Sequence, residues 1–426
     1  MAKIYPIAIV VSLLFIFIYI ILASSGIAFY YESGEMVGAI SAWCERVSGG
    51  VFREPVNTMS NIGFMVAGLL MLKVLSADHL IDNLQSNTFT SLNSISVLYA
   101  SAVIFLGPGS WLMHATHTAW GGWADNLSMV MYIIFPWLYN LKEMGRWSPS
   151  RFLQVYFLIV LFYAISRWFF GGRLGIGLDL FGLSIGLWII SETLFKFWSP
   201  SFRWLSGFVG FFVAAIFGIF PQEIFSDLNE YWWVILFWLP AIFARKAPET
   251  ERKYSPWFFL GMFSYMTAFV IWLQGYPEMP FCKPDSWVQP HAIWHLITAF
   301  STWCFFKFFR TEEKIISAAP VNYLRGANWS NKLIIADESQ NFTLKELVTL
   351  VTRIGQNTKM FVCGDPLQSD INGKTGFRTM WNAFNDSESD EQGIYCFEFT
   401  KDDIMRSEIL KFIVNKIENI PKIKNI

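Results

Sequence analysis

The sequence predicts an all-α polytopic membrane protein followed by a small α/β tail, and three observations carry that expectation. The 426 residues are 54% hydrophobic and only 15% charged, where soluble domains carry roughly 25% charged residues. Apolar stretches of bilayer-crossing length recur as far as residue 309. After Arg310 the chain turns polar, with the alternation of an ordinary soluble domain. The expected division is an N-terminal segment 1–30, a membrane domain 31–310 and a tail 311–426. Five cysteines are too few for a disulfide scaffold, and the net charge of -1 averages two unlike regions.

Lys3 precedes an apolar run from Ile4 to Leu22, then Ala23-Ser24-Ser25-Gly26, which reads as an N-terminal transmembrane anchor or a signal segment. Its length favours the anchor. A polar loop from Met36 to Glu54 holds Trp43-Cys44-Glu45 and leads into Glu54-Pro55-Val56-Asn57. Further spans are expected at 57–75, 94–114, 123–141, 152–170, 174–195, 203–220, 230–245, 255–273 and 290–309. Lys142, Arg146, Arg151, Lys196, Arg203, Arg245, Lys246, Arg252, Lys253, Lys307, Arg310 and Lys314 fall at every second connection. The positive-inside rule places those connections and the tail in the cytoplasm. Glu45, Glu54, His114, Asp125, Cys282 and His291 then gather towards the exoplasmic face, although they are scattered along the chain.

That convergence has a chemical meaning. Ser110 and His114 in Ser110-Trp111-Leu112-Met113-His114 lie one helical turn apart on one face, as do His291 and His295 in His291-Ala292-Ile293-Trp294-His295. Asp125 opens the next apolar run, where a carboxylate facing lipid is costly. Three of the five histidines belong to this set. Zinc hydrolases use three protein ligands and leave the fourth position to water. In this reading His114, His291 and His295 bind zinc, Asp125 takes the proton of the attacking water, and Ser110 steadies the water or the oxyanion. His117, one turn beyond His114, competes with it as a ligand. His79, beside Asp78, reads as a solvated loop residue. The bland alternative is that each polar side chain only satisfies a neighbouring helix.

Trp43-Cys44-Glu45, Asn57-Thr58-Met59-Ser60-Asn61, Gly109 to His114, Asp125 and His291 to His295 together resemble the alkaline ceramidase family, over about 42–309. The resemblance implies a seven-span core, here with extra helices, and zinc-dependent intramembrane hydrolysis of the amide bond of ceramides, a step of sphingolipid metabolism. It implies zinc on His114, His291 and His295, with Ser110 and Asp125 in support, so that His117 is not needed. Its animal enzymes hold calcium in the loop before the first core span. Trp43, Glu45 and Glu54 match that loop, but Ala42 and Val47 stand where oxygen ligands belong. The family also suggests a disulfide between Cys44 and Cys282, in a compartment that tolerates one.

In the tail, Leu333 to Ala336 reads as a strand ending in Asp337-Glu338, and Met360 to Cys363 as another ending in Gly364-Asp365, with a helical stretch from Leu344 to Ile354 between them. Tyr323-Leu324-Arg325-Gly326, Asp337 to Asn341, Thr352 to Gly355, Gly364 to Gln368 and Arg406 resemble the C-terminal half of PhoH-like ATPases, over about 320–410. That implies an incomplete P-loop-ATPase-like unit with a vestigial nucleotide site of Asp337, Glu338, Gln368 and Arg406. Gly373-Lys374-Thr375 ends like a Walker A loop, yet Gln368 occupies the first glycine position and the segment follows the acidic strand. The tail is therefore expected to be inactive as an ATPase by itself.

The reading is a multi-pass lipid amide hydrolase acting on a ceramide-like substrate. The alternatives are a receptor-like or scaffold protein with a structural zinc, or a partner-dependent nucleotide-binding fusion. A closed structural site has no need of Asp125 and Ser110, which favours the enzyme. No nucleic-acid partner is expected, and the sequence carries no signal of oligomeric state.

Overall fold

The computed structural model describes residues 4–30, 32, 34–79, 87–315, 328–330, 332–371, 373–399, 403, 412–413 and 416. The Tyr323 to Gly326 motif and Arg406 lie outside the described residues. The protein divides into two compact units, Met1–Ile316 and Ser317–Ile426. It is mostly helical, with a small sheet region towards the C-terminus.

The first unit opens with α1 (Ile4–Ser24), whose Val10, Leu13 and Phe17 are exposed. Its last turns are anchored instead. Tyr19 is buried against Phe52 and Trp111, and its hydroxyl donates to the Val51 carbonyl at 2.6 Å. α2 (Pro55–Ser60) runs almost without a break into α3 (Ile62–Asp78). Pro55 suits the first helical position, where its missing N–H costs no bond. α4 (Ser94–Thr116) begins at Asn93, whose side chain accepts from the Ile95 and Ser96 N–H groups. It ends at His117, in the left-handed region at φ 51. α5 (Ala119–Gly145) packs along α4 with Gly109 against Ser128. A Cβ at Gly109 would stand 2.5 Å from that of Ser128, so only glycine lets the two helices come this close.

α6 (Pro149–Phe170) and α7 (Leu180–Lys196) flank α5. The stretches expected as spans at 203–220 and 230–245 are built differently. They form α8 (Pro200–Leu205), α9 (Val209–Ile216), α10 (Pro221–Ser226), a 3-10 segment Trp232–Trp238 and α11 (Leu239–Phe243). Gly218 at φ 82 and Pro221 end one run, and Pro240 interrupts the other. The 7 and 5 residues of the last two pieces rise too little to cross a core of about 30 Å.

β1 (Thr250–Glu251), α12 (Trp257–Leu273), α13 (Pro290–Phe309) and β2 (Glu313–Lys314) complete the unit. β1 pairs antiparallel with β2, Thr250 opposite Lys314. α13 packs on α12 and α3, in the heart of the bundle. Among the described residues, five stretches are long and apolar enough to cross a membrane: α1, α2 with α3, α4, α6 and α13.

At the end of the bundle where α13 finishes, Phe89, Tyr99, Phe135, Tyr139, Phe306 and Phe309 form an aromatic core. Beside it the Arg252 guanidinium is wholly buried and donates to Glu312 at 2.6 Å, Asn140 at 2.6 Å and Glu192 at 3.0 Å. Tyr139 and Tyr254 donate to Glu312 and Glu192 in turn.

The second unit contains β3 (Leu333–Ala336), α14 (Leu344–Val351), β4 (Lys359–Val362), α15 (Phe377–Phe384) and α16 (Ser387–Glu391). Thr343 and Glu346 form a reciprocal cap that starts α14. β3 and β4 run parallel, Leu333 opposite Lys359, with α14 as the crossover.

Candidate metal centre

Two helix ends and one loop build the site. Ser110 and His114 project from the last turns of α4, and His291 and His295 from the first turns of α13, which opens at Pro290. The donor nitrogens of His114, His291 and His295 all lie within 4.8 Å of one another, and all three residues are buried. His114 Nε2 and His291 Nε2 approach to 3.1 Å.

The surrounding hydrogen bonds orient the rings. His114 Nδ1 donates to Glu54 Oε2 at 2.6 Å. The Ser60 hydroxyl donates to the Asn57 carbonyl at 2.7 Å and accepts from His295 Nδ1 at 2.7 Å. This network assigns the proton of the His114 and His295 rings to Nδ1, leaving each Nε2 lone pair free and turned inward. His291 is held by stacking: Trp43 lies over its ring with centroids 4.5 Å apart and an interplanar angle of 25°. Three buried imidazole nitrogens converging in this way suit zinc, with a fourth position for water. An outer carboxylate on a ligand histidine is the usual companion of such a site.

Asp125 is half-buried in the second turn of α5, with Ser110 and His114 in its electrostatic surroundings. Ser110 Oγ is also 3.4 Å from His295 Nε2. The close packing of Gly109 on Ser128 sets α4, which carries Ser110, directly against α5, which carries Asp125. Arg167, in the last turn of α6, lies within electrostatic range of Asp125. Trp123 joins α5 to α6 there, its indole N–H donating to the Ala164 carbonyl at 2.8 Å.

Trp43, Glu45 and Glu54 share the loop that closes over the histidines. Glu45 accepts from the backbone N–H groups of Val56 at 2.7 Å and Asn57 at 2.8 Å, one per oxygen. Burial raises its carboxyl above the usual range, and those two N–H groups work against that. Glu54 is buried, and its Oε2 accepts from Asn57 Nδ2 at 2.8 Å as well as from His114. Its Oε1 accepts from His117 Nε2 at 2.7 Å. Calcium requires six to eight oxygens turned towards it. Ala42 and Val47 add no side-chain oxygen, and each carboxylate oxygen of Glu45 and Glu54 already accepts at least one N–H bond, so the loop falls short of the set that calcium needs.

Cys44 and Cys282 are joined by a disulfide, with Cα atoms 5.5 Å apart. Arg46 adds a forked pair to Asp285 at 2.6 and 2.9 Å. Both bonds pin the loop beside the segment leading to His291. His79 ends α3, away from the cluster. In the second unit Asp337 and Glu338 are exposed just beyond β3. Gln368 donates to Asp365 at 2.8 Å, and Gln340 links Asp365 to Glu338.

Sequence reasoning missed the partners of the rings: Ser60 on His295, Trp43 on His291, and Glu54 between His114 and His117. Ser60 and Trp43 lay within recognised motifs, but nothing in the sequence linked either to a particular ring.

An apolar helical bundle enclosing three buried histidines that could hold a metal is consistent with a membrane metalloenzyme. The family model described as Ceramidase matches residues 36–333, and the chain belongs to that family. That membership supports a hydrolase. Residues 305–418 match the family model for PhoH-like proteins. The tail is similar to a PhoH-like protein of Mycobacterium bovis, 34% identical over 101 residues, which is 24% of this chain and 28% of the relative. A PhoH-like protein of Synechocystis is 32% identical over 109 residues, 25% of this chain and 32% of the relative. Protein PhoH of Escherichia coli is 32% identical over 104 residues, 24% of this chain and 28% of the relative. The chain thus spans about a third or less of the length of these curated relatives.

Proposed function

We propose that this protein is a zinc-dependent intramembrane hydrolase that cleaves the amide bond of ceramide or a related linear lipid amide. The observation that carries the proposal is the convergence of the buried His114, His291 and His295, with the Ser110 hydroxyl 3.4 Å from His295 Nε2. Zinc held by those three rings would supply Lewis acidity and a nucleophilic water near neutral pH.

The chain's own groups perform the remaining tasks. Asp125 accepts the proton of the attacking water and delivers it to the amide nitrogen as the C–N bond breaks. The new C–O bond completes the fatty acid, and the sphingoid amine leaves. Ser110 holds Asp125 in place at rest and donates to the carbonyl oxygen as charge develops there. Glu54 and Ser60 keep the inward nitrogens of His114 and His295 unprotonated. In this proposal α2 with α3, α4, α5, α6, α7, α12 and α13 are the seven spans of the core. The histidine cluster faces the exoplasmic side and the tail the cytoplasm, following the basic connections. The tail is catalytically silent and its nucleotide site vestigial.

Fatty-acid release from ceramide in detergent micelles by the purified protein, with zinc measured on the same sample, tests the assignment. Turnover that is lost in Asp125→Ala is expected. Full zinc with no turnover of any lipid amide by the unaltered chain would overturn it.

A further inference from the structure

Calcium does not fit the loop before α2, and His117 stands against Glu54, one of the two acids that would have held it. The ring is buried and follows directly on α4, with its backbone in the left-handed region at φ 51. Outside glycine that conformation is uncommon, and histidine is one of the residues that adopts it more readily. Its two nitrogens face two carboxylates. Nε2 donates to Glu54 Oε1 at 2.7 Å, and Nδ1 lies 3.5 Å from Glu35 Oε2. Glu35 Oε1 in turn accepts from the Ala42 N–H at 3.0 Å. One ring is thereby bonded to Glu54 and stands beside Glu35, acids from the two ends of the loop, with Nδ1 making no hydrogen bond among the described residues.

The backbone is shaped around this ring. Gly34 N–H donates to the His117 carbonyl at 3.1 Å, and a Cβ at Gly34 would stand 2.7 Å from that of His117. Arg53 and Glu54 N–H groups donate to the Ala115 and His114 carbonyls. Both ends of the loop are therefore tied to the end of α4. Glu54 then passes the constraint onward, because its other oxygen accepts from His114 Nδ1 at 2.6 Å.

We propose that the His117 imidazole takes the place of a divalent cation in this loop, so that His117, through Glu54, is a positioning residue for His114 and the protein needs no calcium. The proposal rests on the zinc assignment for its effect on His114, but its calcium arm stands alone. Two measurements on the purified full-length protein test it, and neither reads turnover. The first is calcium binding, followed by calorimetry and by the melting temperature in millimolar calcium. No heat of binding and no shift are expected for the unaltered protein. The second is zinc retention against a competing chelator in His117→Ala and His117→Asn. Asparagine tolerates the left-handed backbone, so that variant separates loss of the ring from loss of the fold. Both variants are expected to hold zinc about 10-fold less tightly or worse, as for loss of an outer-shell partner. Calcium bound by the unaltered chain, or His117→Asn retaining zinc as tightly as the unaltered chain, would overturn the proposal.

Discussion

Glu54 and His114 are joined twice. The Glu54 backbone N–H donates to the His114 carbonyl at 2.9 Å, and His114 Nδ1 returns a bond to Glu54 Oε2 at 2.6 Å. The first bond docks the loop on the end of α4, and the second fixes the ring. Coupling the two means that the loop cannot shift without turning the His114 ring.

The substitution Glu54→Gln keeps the shape but removes the carboxylate shared by His114 and His117. Zinc affinity is expected to fall by about 10- to 100-fold, the usual effect of losing an outer-shell acid. Zinc retained against a graded chelator measures it. Unchanged retention would mean that Glu54 does not orient the ring.

Asp125→Asn should keep the metal and lose the base. Turnover is expected to drop by about 10²-fold or more, with zinc content unchanged. Metal and activity falling in parallel would make Asp125 a ligand or a folding residue instead.

How much of this was legible in the sequence depended on range. The three histidines and Asp125 stood out because polar residues at helical spacing are costly inside apolar runs. The pairing of Glu54 with His114 spans a loop and two helices, and no local pattern encodes it. His117 read only as a competing ligand, because the left-handed turn that swings it away to Glu54 is not written in side-chain spacing. Residues 203–245 misled for another reason. Their hydropathy matches that of a span, but Gly218, Pro221 and Pro240 break the helices below crossing length. In the tail, the two strands and the helix between them were legible from their periodicity, though α14 stops at Val351.

The buried Arg252 network gives a stability prediction. Arg252→Met leaves the Glu192 and Glu312 carboxylates facing each other's field without a cation. The expected loss is about 3–5 kcal/mol, as for breaking any buried ion pair from one side. Changing Glu192 and Glu312 to Gln alongside Arg252→Met should recover much of it. Denaturation of detergent-solubilised protein measures both, and a single variant as stable as the unaltered chain would show that the charges are solvated.

Truncation after Ile316 removes the PhoH-like unit while keeping the pairing of β1 with β2. Hydrolysis per bound zinc is expected to remain unchanged. The full chain is expected to turn over no ATP, because its sequence supplies acids beyond β3 but no phosphate-binding glycine loop ahead of them. A large drop per zinc on truncation, or ATP hydrolysis abolished by Glu338→Gln, would show a working tail.

The most direct test of the central claim is to strip and restore the metal on the purified protein while following ceramide hydrolysis. About one zinc per chain is expected, as for a three-ligand site with an open position. Removal should abolish fatty-acid release, and zinc alone should restore it in the unaltered chain but not in His291→Ala. Full turnover by metal-free protein, or full zinc and activity in His291→Ala, would contradict the account.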